Sequence, residues 1–275
     1  MTIPRGCARA RADLGLLAAA EVRVQPSYLM RFLVFQHHPA EHPGSFRTFL
    51  RRDRIAWDAV ELDAGEAIPE LSRYDALLVF GGPMDVWEEE AHPWLAAEKA
   101  AIRRFVCELE RPFLGVCLGH QLLASALGCP VGKMRAPEVG VVTVQLTEAA
   151  ASDPLFQDFP ATLSALQWHG AEVKSLPPDS VALATNEACP IQAMRVREHA
   201  YGLQYHVEAE ETTVAEWGCV AESRRLLEAI GGPDAQAALE RAVAAEMPTF
   251  LANAAALYQG FRDVVRRASA ARQAR

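Results

Sequence analysis

From Arg31 to Leu127 short apolar runs alternate with amphipathic stretches, and this β–α alternation most limits what the chain can fold into. Phe32–Phe35 reads as a strand, Gly44–Arg54 as a helix and Trp57–Leu62 as a second strand. Asp75–Phe80 is a continuous apolar run that ends at Gly81-Gly82-Pro83, as a strand buried on both faces would. His92–Glu110 carries Leu95, Ile102, Phe105, Val106 and Leu109 at helical spacing. Pro112–Val116 then reads as a strand and Leu118–Leu127 as a helix. The pattern predicts an α/β fold, with a mostly parallel central sheet flanked by helices.

Beyond Gly128 strands dominate: Val139–Leu146, Leu163–Gln167, Val181–Ala184, Ile191–Val196 and Tyr201–Val207. Helices close the chain at Val214–Ile230 and Asp234–Val265, the second expected to kink or break at Pro248. Gly231-Gly232-Pro233 marks the turn between them. This organisation implies one domain over residues 30–267, a loosely ordered extension at 1–29 and a basic tail at 268–275. Leu14–Ala20 is a short apolar patch followed at once by Glu21 and Arg23, which argues against a secretory signal.

A formal net charge of −8 and no dense Lys/Arg run before the C-terminal tail disfavour nucleic acid as a partner. No segment has the ~18–20 continuous apolar residues of a membrane span. The six cysteines show no C-x-x-C spacing, which fits a reducing, cytoplasmic setting better than a disulfide framework.

Chemistry concentrates in three segments. Gly115-Val116-Cys117-Leu118-Gly119-His120-Gln121 sits between a predicted strand and a predicted helix. A cysteine on that turn is pushed above the sheet edge, and the helix N-terminus favours its thiolate; taken alone, it reads equally well as a buried structural cysteine. Gly202-Leu203-Gln204-Tyr205-His206-Val207-Glu208 reads as a strand ending in His and Glu two positions apart, hence on one face. That spacing lets a carboxylate orient an imidazole whose other nitrogen faces a thiol. Phe80-Gly81-Gly82-Pro83 is a strand-end turn that could aim a backbone N–H at an oxyanion. It lacks the spacing of a dinucleotide fingerprint.

With Gln167-Trp168-His169-Gly170, these segments resemble the class I glutamine amidotransferases. The resemblance spans roughly residues 30–225. It is strongest to a stand-alone branch similar to the glutaminase domain of GMP synthase, which includes plant γ-glutamyl peptidases. It implies a flavodoxin-like fold and hydrolysis of glutamine or a γ-glutamyl small molecule through a γ-glutamyl thioester. Cys117 would be the nucleophile, His206 the base and then the acid, and Glu208 the residue that orients His206. Gly82 and Leu118 would supply the oxyanion hole through backbone N–H groups. Gln121, Trp168 and His169 would lie near the amino-acid end of the substrate. No cofactor or metal is implied. Val207 stands where many members have proline between the His and the Glu. The sequence shows no S-G-G-x-D-S loop for ATP, so a full amidotransferase reaction would need a separate synthetase partner. A self-sufficient hydrolase needs none, and a non-catalytic binding protein on the same fold is the alternative of another class.

Other polar residues carry less signal. His37, His38, Glu41 and His42 match no familiar metal-ligand spacing and read as a solvated loop at the rim of the site. His120 reads as structural, and the arginines of 262–275 as a solvated helix end.

Overall fold

The computed structural model describes residues 30–274; the expectations for residues 1–29 fall outside them. One nine-stranded sheet runs in the order β2-β1-β3-β4-β9-β8-β7-β5-β6. Its first part is parallel: β1 (Arg31–Gln36) lies between β2 (Ala56–Glu61) and β3 (Ala76–Val79), and β4 (Phe113–Val116) lies between β3 and β9 (Ala200–Leu203). β8 (Ala193–Val196), β7 (Ser180–Thr185), β5 (Val131–Leu146) and β6 (Thr162–Val173) extend it antiparallel.

Alternation within the parallel strands builds two apolar layers. Phe32, Val34, Leu78 and Leu114 face one side, under α1 (Phe46–Arg52) and the C-terminal half of α6 (Ala235–Gln273). Leu33, Phe35, Leu77 and Phe113 face the other, under α2 (Trp94–Arg103) and α3 (Leu118–Ala126). A third apolar cluster joins Leu166 and Trp168 of β6 to α4 (Thr213–Gly218), α5 (Ala221–Gly231) and the first half of α6. That cluster covers the end of the sheet where the motifs gather.

Four expectations are corrected. The helix over His92–Glu110 is α2 followed by a π-helical turn at Arg104–Glu108. The helix over Val214–Ile230 is divided into α4 and α5, with Val220 extended between them. α6 runs on past Val265 and is one helix through Pro248, its buried face (Val243, Met247, Phe250, Ala254) continuing across the proline. Nor is its C-terminal end simply solvated: Arg262 pairs with Asp53, and Arg272 reaches Asp75 at 2.7 Å.

A fifth correction bears on the site. Tyr201–Val207 is not one strand, because β9 ends at Leu203. Its parallel neighbour β4 stops at Val116 and turns into a helix, so the ladder on that side ends with Cys117 N–H donating to Leu203 O at 2.8 Å. The chain then crosses towards β6, where a single bridge fixes His206: its N–H donates to Leu166 O at 2.9 Å.

Candidate active site

Cys117 caps α3 with φ 52° and ψ −104°, a backbone conformation that side-chain-bearing residues rarely adopt. Two close approaches hold it there. A Cβ at Gly115 would meet the Gly119 carbonyl and come within 2.8 Å of His120 N; one at Gly119 would run into the Val79 carbonyl of β3. The G-x-C-x-G spacing is therefore a packing requirement: only bare α-carbons let α3 begin so close to β3 and β4.

The three predicted segments meet at the C-terminal ends of the parallel strands, where open α/β sheets hold their sites. Cys117, Leu118, Gly82 and His206 line one cavity of about 330 Å³. His206 and Glu208 are both buried, and His206 Nδ1–H donates to Glu208 Oε1 at 2.8 Å. The other ring nitrogen is left for Cys117, whose sulfur acts on the imidazole electrostatically. Burial alone would lower the His206 pKa. The Glu208 carboxylate and the Cys117 sulfur outweigh it and hold the ring well above the ordinary histidine range. The site thus favours an imidazolium at His206.

Gln121, Trp168 and His169 also line the cavity, but two of them have their polar ends occupied by protein. Gln121 Nε2 donates to Ala171 O and to Gln204 Oε1, each at 3.2 Å. His169 Nδ1 faces Ala171 O at 2.9 Å and its Nε2 faces Glu138 Oε2 at 3.2 Å. Glu138 in turn accepts from Asn186 and Gln192, so a buried polar network fixes this wall. Burial would raise the Glu138 pKa, yet His169 and the two amides hold it below the usual value. His120 is fully buried against Gly202, and burial pushes its pKa down to about 3, as befits a neutral structural ring.

Three residues of the site escape the sequence patterns. Gln204 Nε2 lies 3.8 Å from Cys117 Sγ. Trp217 of α4 packs against both the His206 and Trp168 rings. Glu41, expected in a solvated loop, is buried and lines the cavity. His37, expected beside it in solvent, is buried too, with its ring nitrogens 2.8 Å from Gly81 O and 2.9 Å from Glu98 Oε1. The Pro43-Gly44 turn was the available signal: Gly44 (φ +49°) and Ser45 dock on the Glu208 backbone, with Ser45 N–H donating to Glu208 O at 2.9 Å.

Residues 47–216 match the family model for glutamine amidotransferase class I. The chain belongs to that family. Among curated relatives, the glutamine amidotransferase-like protein YfeJ of Salmonella typhimurium is 34% identical over 185 residues, 65% of this chain and 76% of the relative. A glutamine-hydrolyzing GMP synthase subunit from Sulfolobus acidocaldarius is 31% identical over 159 residues, covering 58% of this chain and 80% of the relative. A glutamine amidotransferase structure from Thermotoga maritima superposes with a TM-score of 0.75 at 27% identity, over 86% of this chain and 98% of that one. Glu41 precedes the span matched by the family model.

Proposed function

We propose that this class I amidotransferase hydrolyses the γ-amide of glutamine or of a γ-glutamyl compound, with Cys117, His206 and Glu208 as its triad. One observation carries the reading: a strained cysteine at the N-terminus of α3 shares a cavity with an imidazole that a buried carboxylate locks at 2.8 Å. The Cys117 thiolate attacks the amide carbonyl, and the oxyanion takes the N–H groups of Gly82 and Leu118. The Leu118 N–H belongs to the first turn of α3, where helix geometry offers no internal acceptor. The C–N bond breaks as His206 gives its Nε2 proton to the leaving nitrogen, which departs as ammonia or an amine. A γ-glutamyl thioester stays on Cys117. His206 then takes a proton from water, hydroxide adds to the thioester, and glutamate leaves.

Gln121, Trp168 and His169 shape the wall that receives the glutamyl group. Gln121 and His169 do so mainly by holding the backbone near Ala171 in place. The same site serves a self-sufficient hydrolase and a glutaminase component for a separate synthetase. The likeness to the Sulfolobus GMP synthase protein supports keeping the second role open. The test is release of glutamate and of ammonia or amine from glutamine and a panel of γ-glutamyl peptides, with Cys117→Ala as control. No release by wild type that Cys117→Ala lacks would leave the non-catalytic reading standing.

A further inference from the structure

Glu41 is the one carboxylate of the cavity wall that is both buried and turned towards the imidazole. It is 8% exposed, and its Oε2 has no hydrogen-bond partner among the described residues. A buried acceptor left open is unusual enough to need a reason. Its place is fixed by Gly81: an ideal Cβ there would collide with Glu41 Oε2 and stand 3.3 Å from His206 Cε1. Carboxylate and ring edge thus converge on the space that glycine leaves empty. The Ala40–Glu41 segment is held from the far side by Trp217 Nε1–H, which donates to Ala40 O at 3.1 Å.

We propose that Glu41 is a positioning residue of the Cys117–His206 pair: a second buried carboxylate on the imidazole, whose charge holds His206 as the imidazolium and thereby Cys117 as the thiolate. This rests on the nucleophile assignment above. The charged groups facing Glu41 are His206 and Glu208 from the segment after β9 and His37 from the end of β1, with Cys117 acting through His206. Burial pushes the Glu41 pKa up to about 7; His206 pulls it down, Glu208 pushes it further up, and His37 pulls it down. Near neutrality Glu41 therefore changes charge. Above about pH 7 it supports the imidazolium, and below that it is neutral and does not.

The experiment is the rate of iodoacetamide alkylation from pH 5 to 9 for wild type, Glu41→Gln and Glu41→Asp. It is read at the Cys117 peptide by mass spectrometry, because the exposed Cys219 reacts as well. Wild type should show an added rise in rate centred near pH 7. Glu41→Gln should lose that rise and react about tenfold or more slowly at pH 8, the scale expected when an opposite charge is removed from ~4–6 Å. Glu41→Asp should recover part of the rise. A folded Glu41→Gln with the wild-type profile overturns the inference. If that variant does not fold, a wild-type profile without an inflection near pH 7 overturns it equally. Failure of Cys117 to react preferentially would instead sink the nucleophile assignment, so the two failures are distinct.

Discussion

Trp217 lies over the ring of His206, with centroids 4.3 Å apart and planes inclined by 59°, while meeting Trp168 edge-on at 5.4 Å. One side chain from α4 thus connects the imidazole to the wall expected to receive substrate. His206 is held by a single β-bridge rather than a ladder, so its orientation depends on such packing. Trp217→Ala should lower kcat at least tenfold and reduce stability by about 3–5 kcal/mol, as for other buried aromatic truncations. Trp217→Phe, which retains a ring but loses the bond to Ala40 O, should fall between. Kinetics and denaturant melts on both variants give the comparison.

Cys117→Ala should abolish turnover without unfolding the chain. Cys117→Gly should be equally inactive yet more stable than the alanine variant, by about 1 kcal/mol. Glycine relieves a positive φ worth roughly 1–3 kcal/mol of strain and gives back part of that gain through its greater unfolded-state freedom. Equal stability of the two variants would show that residue 117 is not strained in solution.

Glu208→Gln should reduce kcat by something like 10- to 1,000-fold, less than Cys117→Ala or His206→Ala, with KM little changed. The carboxylate orients and stabilises the ring and makes no bond to substrate. Unchanged turnover would return Glu208 to a structural role and leave a Cys–His dyad.

Gly119→Ala tests the turn. The added methyl meets a backbone carbonyl, which cannot swing away as a side-chain end can. A loss of about 1–3 kcal/mol and a marked fall in activity are expected, since α3 must shift and carry Cys117 with it. Gly132→Ala, whose new atom meets only the flexible Lys174 side chain, is the control and should be nearly silent in both assays.

Glu41 also makes a stability prediction. Its folded pKa of about 7 lies above the ordinary 4.5, so the folded state binds the extra proton between those values and stability falls as pH rises through that window. Removing the ionisation should make Glu41→Gln more stable than wild type at pH 8, by on the order of 3 kcal/mol for a fully buried group. The difference should vanish below about pH 4.5. Chemical denaturation at pH 4 and pH 8 measures it, and a constant offset at both would contradict the titration.

The parallel half of the sheet was legible because β1, β3 and β4 are buried on both faces and so show as continuous apolar runs between helical periods. The β5–β6 hairpin was under-read. β5 begins at Val131, eight residues before the expected strand, in a half-exposed stretch containing Gly132 and Pro137 where the pairing register shifts. Such a stretch carries no apolar alternation to detect. Pro248 was over-read as a break: proline removes one N–H, but the apolar face of α6 stays anchored to the core on both sides of it.

By itself the sequence determined the parallel β–α build of the sheet's first part, the cysteine turn and the His–Glu pairing. Each depends on residues close along the chain: a bend that only glycines flanking Cys117 permit, and two side chains separated by Val207. Tertiary structure alone decided what surrounds that pair. Glu41 and Trp217 reach His206 from two separate segments, and Gln204 of the histidine's own segment reaches Cys117. Glu41 looks like any loop carboxylate until the fold buries it beside Gly81 and His206, with Trp217 of α4 holding the neighbouring Ala40. Burial is what turns a solvated charge into one that acts on its neighbour, and burial is a property of the assembled fold.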